Sequence, residues 1–208
     1  MHPTPAFQNE DRAEALTFVA AHPFASLAVN GEQGPVTALV PLVIDADGKA
    51  LLGHVARMNP FWIAAQENGT KAVAVFRGAD AYISPSSYAS KKEHGRAVPT
   101  WNYLAVEIRG LIRIETEPEA IMPYITALTD KMESHRELPW QVSDAPEEYI
   151  QKLSRGIVGF RLEINDITYV RKLSQNKSTE DKKGVVADLG QSENHDDRLI
   201  AQEMKQEI

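Results

Sequence analysis

The chain has 208 residues, of which 43% are hydrophobic and 25% charged; these values are typical of a soluble globular protein and exclude a collagen-like, coiled-coil or largely disordered chain. It has no cysteine, which excludes disulfides, thiolate nucleophiles and cysteine-ligated metal centres. The 29 acidic residues outnumber the 22 Lys and Arg, so the net charge of −7 disfavours nucleic acid as a partner unless the basic residues cluster. With no signal-peptide pattern and no apolar run of ~20 residues, we expect a cytoplasmic protein that does not enter the membrane.

The first elements in chain order are a helix and an antiparallel meander. Apolar residues at helical spacing predict a surface helix over 9–21. Three strand-like runs follow, joined by turns of hairpin length, at 24–30, 36–45 and 50–55.

The next elements are a short helix and further strands. Asn59-Pro60 predicts a helix capped by Asn59 that closes at Asn68-Gly69. Two short strands follow, at 71–76 and 81–84, and the segment 84–96 is too rich in Ser, Gly and polar residues for a core, so it predicts a functional or mobile loop.

The strongest single strand signal runs from Trp101 to Glu115. Its length, with Gly110 near the middle, is typical of a coiled sheet or barrel in which the glycine permits a bend.

The last elements predict a helical insertion and a final strand pair. Helices opened by Thr116 and Asp144 predict an insertion over about 117–155. Strands at 157–164 and 168–173 follow, with a turn at Asn165-Asp166 between them. We therefore predict one α+β domain over 1–190 and a polar carboxyl-terminal tail over 191–208 that has little to bury.

Three segments could carry chemistry. In the first, Gly53 to Pro60, a strand end supplies His54 and Arg57 just before a helix start, an arrangement that suits phosphate. Taken alone, it is more typical of an exposed Arg, a satisfied His and an ordinary helix cap.

The second segment joins the polar loop to the long strand. Its serines, Lys91 and Lys92 precede Trp101 and Tyr103, whose rings offer a stacking surface for a planar, phosphorylated ligand. A solvated loop beside a buried Trp would have nearly the same sequence, and these cations are also the best candidates for DNA phosphates.

The third segment is Arg171 to Lys177, which offers cations, a hydroxyl and two amides at a strand end. Amides can pair with the edge of a heterocycle, although a solvated strand exit is the more common explanation of such a segment. Phosphate-loop, dinucleotide-binding, zincin and α/β-hydrolase motifs are missing from the sequence, and the six His show no metal-ligand spacing, so no metal site is predicted.

Seven segments, in order, resemble the PaiB family of FMN-binding negative transcriptional regulators. They are Pro5-Ala6-Phe7, His22-Pro23-Phe24-Ala25, Gly53-His54-Val55-Ala56-Arg57 with Asn59-Pro60, Ala81-Tyr82-Ile83-Ser84-Pro85, Val98-Pro99-Thr100-Trp101-Asn102-Tyr103, Pro139-Trp140 and Lys172-Leu173-Ser174-Gln175-Asn176. The resemblance covers roughly residues 1–190. One departure is Ser87, which precedes Tyr88 where the family commonly has an aromatic residue.

The resemblance implies a fold, a cofactor and an assembly. The fold is an antiparallel, Greek-key-like, FMN-binding split β-barrel with flanking helices, in a homodimer whose flavin sites lie at the subunit interface. The implied FMN-binding residues are His54, Arg57, Asn59, Ser84, Ser86, Lys91, Trp101, Asn102, Lys172, Ser174, Gln175 and Asn176. No catalytic residue is assigned.

Two other functions stay open for such a chain. One is a flavin-dependent oxidoreductase of the kind represented by pyridoxamine phosphate oxidases; the other is a haem-binding split barrel with His54 or His94 as ligand. Direct DNA binding is the least supported expectation, because the chain is acidic and has no basic recognition helix.

Overall fold

The computed structural model describes residue 1, residues 3–66 and residues 69–208; the predicted helix end at Asn68 lies outside these residues. Within them, eight strands form one antiparallel sheet. The strands are β1 (Gln8–Asn9), β2 (Phe24–Gly31), β3 (Gly34–Pro41), β4 (Val43–Ile44), β5 (Ala50–Ala56), β6 (Thr70–Ile83), β7 (Thr100–Glu115) and β8 (Ile157–Lys172). The helices are α1 (Arg12–Ala21), α2 (Phe61–Ala64), α3 (Lys91–His94), α4 (Pro118–Glu133), α5 (Glu147–Ser154), α6 (Thr179–Leu189) and α7 (His195–Lys205).

The sheet has the strand order β3-β2-β6-β7-β8-β5-β4, and β1 pairs with β8. The chain divides into two compact units, one of residues 12–76 and 107–167, the other of residues 1–11, 77–106 and 168–208. We call them the barrel unit and the terminal unit. No helix among the described residues is long and apolar enough to cross a membrane.

The barrel unit is organised around the β2–β3 hairpin and the pairing of β5 with β8. Val29 lies opposite Val36 in the hairpin, and Leu51 opposite Leu162 in the β5–β8 pair. Gly53 lets β5 pack closely on the core, because a Cβ atom there would lie 2.6 Å from the Leu42 side chain and 2.8 Å from the Phe160 ring and would force them to shift. The fully buried large side chains of this unit are Leu27, Leu42, Leu51, Phe61, Phe76, Ile108, Ile112, Ile121, Phe160 and Leu162.

The terminal unit contains the helical hairpin of α6 and α7. The residues that α7 buries, Ile200, Ala201 and Met204, share one helix face. The segment over 191–208 was expected to have little to bury, but these three apolar residues, at positions i, i+1 and i+4, bury one face of an otherwise charged helix.

Two predicted strand breaks were wrong. Residues 71–76 and 81–84 belong to the single strand β6, and the two segments flanking Asn165-Asp166 belong to the single strand β8. Asn and Asp favour turns locally, but strand pairing on both sides of this point overrides the preference: Glu163 pairs with Ala50, and Tyr169 pairs with Asn9.

Gly110, predicted to permit a bend in β7, lies against the backbone of β8. A Cβ atom at this position would lie 1.7 Å from the carbonyl oxygen of Glu163. Only glycine permits this close approach of β7 and β8.

Candidate functional site

The strand-to-helix segment lies in the barrel unit and has the predicted local order. Strand β5 ends at Ala56 and α2 begins at Phe61. The Asn59 side-chain oxygen accepts a hydrogen bond from the Phe61 backbone N–H at 2.9 Å, which confirms the predicted capping contact. Because α2 is only four residues long, its N-terminus alone does not make an anion site.

Arg57 is held in place by backbone carbonyl groups. Its Nε donates to the carbonyl of Arg155 at 2.8 Å, and its Nη2 donates to those of Thr116 at 3.1 Å and Ile157 at 3.2 Å. Among the described residues none hydrogen-bonds to Nη1 of Arg57, so one edge of a rigidly held guanidinium is available for an anion.

His54 lies on the side of β5 that α4 covers. It is paired directly with Gly159 of β8, and a Cβ atom on that glycine would lie 3.0 Å from Tyr124 and 3.1 Å from Ile121 of α4. The His54 Nδ1 is buried and has no hydrogen-bond partner among the described residues. Burial lowers the pKa of His54, so the neutral imidazole is favoured.

The loop after β6, which we call the serine loop (residues 84–96), belongs to the terminal unit. Three of its predicted site residues lie together: the Ser84 hydroxyl oxygen accepts from the Ser86 N–H at 3.2 Å, and Lys91 Nζ donates to the Ser86 hydroxyl oxygen at 3.1 Å. Lys91 and Ser86 are exposed. These groups can donate hydrogen bonds to an anion without first breaking a buried contact.

The serine loop is attached to α6. Ser90 donates to the Asp181 carboxylate from its backbone N–H at 2.9 Å and from its hydroxyl at 2.8 Å, and Ser87 donates to Asp188 at 2.5 Å. Burial alone would raise the pKa of Asp181, but the two hydrogen bonds from Ser90 and the nearby Lys177 and His94 lower it below its usual value. The loop, predicted to be functional or mobile, is therefore anchored at two points on the helix.

Trp101 presents the exposed aromatic surface that the sequence predicts. Its side chain is 52% exposed, and its ring lies edge-on to that of Tyr82, with 5.9 Å between the centroids. A cavity of about 340 Å³ lies beside it, with Arg77 and Tyr103 in its lining. Asp80 also lines the cavity and forms an ion pair with Arg77, so the surface suits a flat ring system beside an ion pair.

Lys172 lies at the end of β8 among uncharged groups. Its Nζ donates to the Thr100 hydroxyl oxygen at 2.7 Å and lies 6.0 Å from the ring centroids of both Phe7 and Tyr103. Burial lowers the pKa of Lys172. No described carboxylate forms an ion pair with this amine, which therefore has the capacity to meet a ligand anion.

Asn102 and Ser174 are close together but closed to solvent. Asn102 is 0% exposed and Ser174 is 4% exposed, and each donates a hydrogen bond to the other. Ser174 has a positive φ of 61°, and Asn102 Nδ2 also lies 3.3 Å from Met204 Sδ. In this structure the pair holds the chain where it leaves β8.

The last two predicted site residues, Gln175 and Asn176, differ in exposure and in hydrogen bonding. The Gln175 side chain accepts from the Leu173 N–H at 2.9 Å and donates to the Arg171 carbonyl at 2.6 Å, so both ends of its amide serve its own turn. Asn176 is exposed.

The structure thus groups the predicted residues within each unit. His54, Arg57 and Asn59 follow one another in the barrel unit, whereas the other nine lie in the terminal unit. Sequence reasoning missed Tyr82 and Phe7, which contact Trp101 and Lys172. Both occur in segments that carry the family resemblance, which was the available signal, but their contacts depend on the tertiary structure. No group of His, Asp or Glu with metal-site geometry occurs among the described residues.

The fold class follows from this sheet and from similar solved structures. The chain superposes on the "FAD and Heme binding protein" from Mycobacterium smegmatis with a TM-score of 0.60 at 16% identity, over 79% of this chain and 73% of that one. The conserved hypothetical protein Rv2991 from Mycobacterium tuberculosis gives a TM-score of 0.60 at 13% identity, over 86% and 94%. The protein is an α+β split β-barrel with flanking helices, as predicted.

The family is shown by sequence comparison. A family model described as "Putative FMN-binding domain" matches residues 1–166, and the chain belongs to this family. It is 29% identical over 204 residues to the "Protease synthase and sporulation protein PAI 2" of Bacillus subtilis (strain 168), covering 97% of this chain and 95% of the relative. It is also 31% identical over 181 residues to the "Uncharacterized protein AN0679" of Emericella nidulans, covering 71% and 72%. The predicted PaiB relationship is confirmed.

Proposed function

We propose that this protein binds FMN, as a homodimeric split-barrel protein of the PaiB type. The observation that carries the proposal is the family match over residues 1–166, which includes the serine loop and all but the last residue of the barrel unit. FMN has three chemically distinct parts, a phosphate, a polar chain and a flat ring system, and the chain offers residue types that suit each.

For the phosphate, we propose Arg57, supported by His54 and Asn59. Three backbone carbonyls fix the guanidinium before any ligand arrives, so little side-chain entropy is lost when Nη1 meets an anion. The buried Nδ1 of His54 lacks a partner among the described residues, which is consistent with a group that a ligand or water completes.

For the polar chain and the ring system, we propose polar and aromatic groups of the terminal unit. Ser84, Ser86 and Lys91 supply hydroxyls and a cation, Trp101 supplies stacking surface, and Lys172 and Asn176 supply donors at the end of β8. Gln175 contributes by holding that turn, because its amide bonds to Leu173 and Arg171. Asn102 and Ser174 act indirectly, by holding that strand end, because both are buried and paired with each other.

When bound, FMN supplies one- and two-electron redox chemistry. The residues named above bind and orient it. Lys172 has no ion-pair partner among the described residues, so its positive charge favours a negatively charged group on the ligand over a neutral one.

We further propose that the regulatory role of the PaiB type acts through the flavin site and a partner. Direct recognition of DNA is disfavoured by the net charge of −7. An enzymatic role is the alternative: in a flavin-dependent oxidoreductase, anaerobic mixing with reduced nicotinamide cofactor would bleach the flavin rapidly and saturably, whereas a binding protein would leave it oxidised.

The proposed ligand is tested by the absorbance spectrum of the purified protein before and after addition of FMN or haem. A bound flavin spectrum supports the proposal. A Soret band with no flavin uptake would assign the site to haem instead. Size-exclusion chromatography with light scattering tests the homodimer, and a monomer at all concentrations would contradict it.

A further inference from the structure

A second cavity lies in the barrel unit, apart from every residue assigned above. It has a volume of about 450 Å³, within the range of small-molecule sites. Strands β2, β6 and β7 supply most of its lining. None of the twelve residues proposed for FMN contributes to it.

The floor of this cavity is apolar. Ala28 of β2 and Val73 of β6 lie directly opposite each other in the strand pair, and Leu111 of β7 adds a third aliphatic side chain. Both Ala28 and Val73 are partly exposed, so the floor is open to a ligand. Such a surface favours the flat or branched hydrocarbon part of a small molecule.

The polar groups of the cavity are all suited to an anion. Among the residues that the structure describes, the lining contains two cations, Lys71 and Arg109, two amides, Asn30 and Asn165, and no carboxylate. Lys71 is exposed, and no described residue forms an ion pair with it. Arg109 is 57% exposed; its Nη2 lies 2.8 Å from the Glu107 carboxylate, which fixes the guanidinium and occupies one of its nitrogens.

Another cavity of the barrel unit has charged lining residues of the opposite sign. The cavity beside α4 and α5, of about 670 Å³, is lined by Asp130 and Glu147 and by no cation among the described residues. Because Glu107 offsets much of the Arg109 charge, Lys71 supplies most of the local positive potential at the cavity.

We propose that this cavity binds a small organic anion with an apolar body, of the class of aromatic carboxylates. The carboxylate meets Lys71 and Arg109, and the ring lies against Ala28, Val73 and Leu111. None of its residues is among those proposed for FMN, so the two sites can be tested with separate variants.

The test is a calorimetric titration of the purified full chain with 2-naphthoate, with 2-naphthylmethanol as the uncharged analogue. We expect saturable binding of naphthoate and at least tenfold weaker binding of the alcohol, because the alcohol loses the charge-assisted contacts. Lys71→Gln should weaken naphthoate binding by about tenfold. Val73→Trp should abolish it by filling the cavity.

The matched control is Lys49→Gln, which removes an exposed lysine of the same unit that does not line the cavity. It should leave naphthoate affinity unchanged, and all three variants should retain the FMN affinity and circular dichroism of the parent. Absence of saturable naphthoate binding, or equal weakening by Lys71→Gln and Lys49→Gln, would overturn the assignment. Loss of FMN binding in the parent would count against the proposed function and leave the naphthoate result intact.

Discussion

Asn102 and Ser174 exchange two hydrogen bonds inside the terminal unit: Asn102 Nδ2 donates to Ser174 Oγ at 3.0 Å, and Ser174 Oγ lies 3.2 Å from Asn102 Oδ1. Both residues occur in the segments that mark the family, and both are closed to solvent. Ser174 also adopts a φ of 61°, which a non-glycine residue keeps only where its surroundings hold it. The pair therefore fixes the strand end that bears Lys172.

The first prediction concerns this pair. Asn102→Ala should lower the free energy of unfolding by about 1–3 kcal/mol, because the Ser174 hydroxyl is left buried without its partner. Denaturant unfolding followed by circular dichroism measures the loss. The control is Asn176→Ala, an exposed amide two residues beyond Ser174, which should change stability by less than about 0.5 kcal/mol. Equal effects of the two substitutions would contradict the role given to Asn102.

The second prediction concerns the contact of α6 with the serine loop. A Cβ atom on Gly184 would lie 2.1 Å from the Ser87 carbonyl oxygen. Alanine is the better helix former by about 1 kcal/mol, yet Gly184→Ala should destabilise the protein by about 1–3 kcal/mol, because the helix must move away from the loop. Thermal and denaturant unfolding give the sign. Lys183→Ala, at an exposed neighbouring position, is the control, and a Gly184→Ala protein more stable than the parent would refute the contact.

The third prediction separates the structural role of Arg57 from its proposed ligand role. Arg57→Ala should lower the free energy of unfolding of the flavin-free protein by about 1–3 kcal/mol, because three backbone carbonyls lose their donors. Arg136→Ala, which removes an exposed arginine of the same unit, should cost less than about 0.5 kcal/mol. If both variants unfold like the parent without flavin, the carbonyl contacts contribute nothing to stability.

The fourth prediction is a pH dependence caused by His54. Because burial lowers the pKa of His54 in the folded protein, the unfolded chain binds the proton more readily, and stability falls as the pH drops from about 6.5 toward the lower folded value. His54→Gln removes this contribution. Between pH 7 and pH 5 the parent should therefore lose more unfolding free energy than His54→Gln does. The extra loss is about 1.4 kcal/mol for each unit by which the folded and unfolded pKa values of His54 differ. A difference that is constant with pH would show that His54 titrates alike in both states.

Much of the fold was predictable from the sequence, because strand alternation and turn residues are local signals. Strands β2 and β7 lie close to the predicted ranges, whereas the single strand predicted over 36–45 is divided between β3 and β4. The continuous strands β6 and β8 were not predictable, because their pairing with distant strands overrides local turn residues such as Asn165 and Asp166.

The candidate site was predictable only as a set of residue types. The sequence identified Arg57 and Asn102 as polar residues in family segments. It could not indicate that Arg57 donates hydrogen bonds to backbone carbonyls, or that Asn102 is paired with Ser174. Those contacts join residues 59 and 72 positions apart in the chain, so no local pattern reports them. Likewise, the burial of Met204 required the position of α7 against α6.

The most direct test of the proposed function is a titration of the purified protein with FMN, followed by quenching of flavin fluorescence. We predict saturable uptake of one FMN per chain. Arg57→Ala should weaken the affinity by roughly ten- to hundredfold, equivalent to about 1.5–3 kcal/mol for a lost charge-assisted phosphate contact, while Arg136→Ala retains it. Failure of the parent protein to quench or take up FMN at any concentration would contradict the assignment.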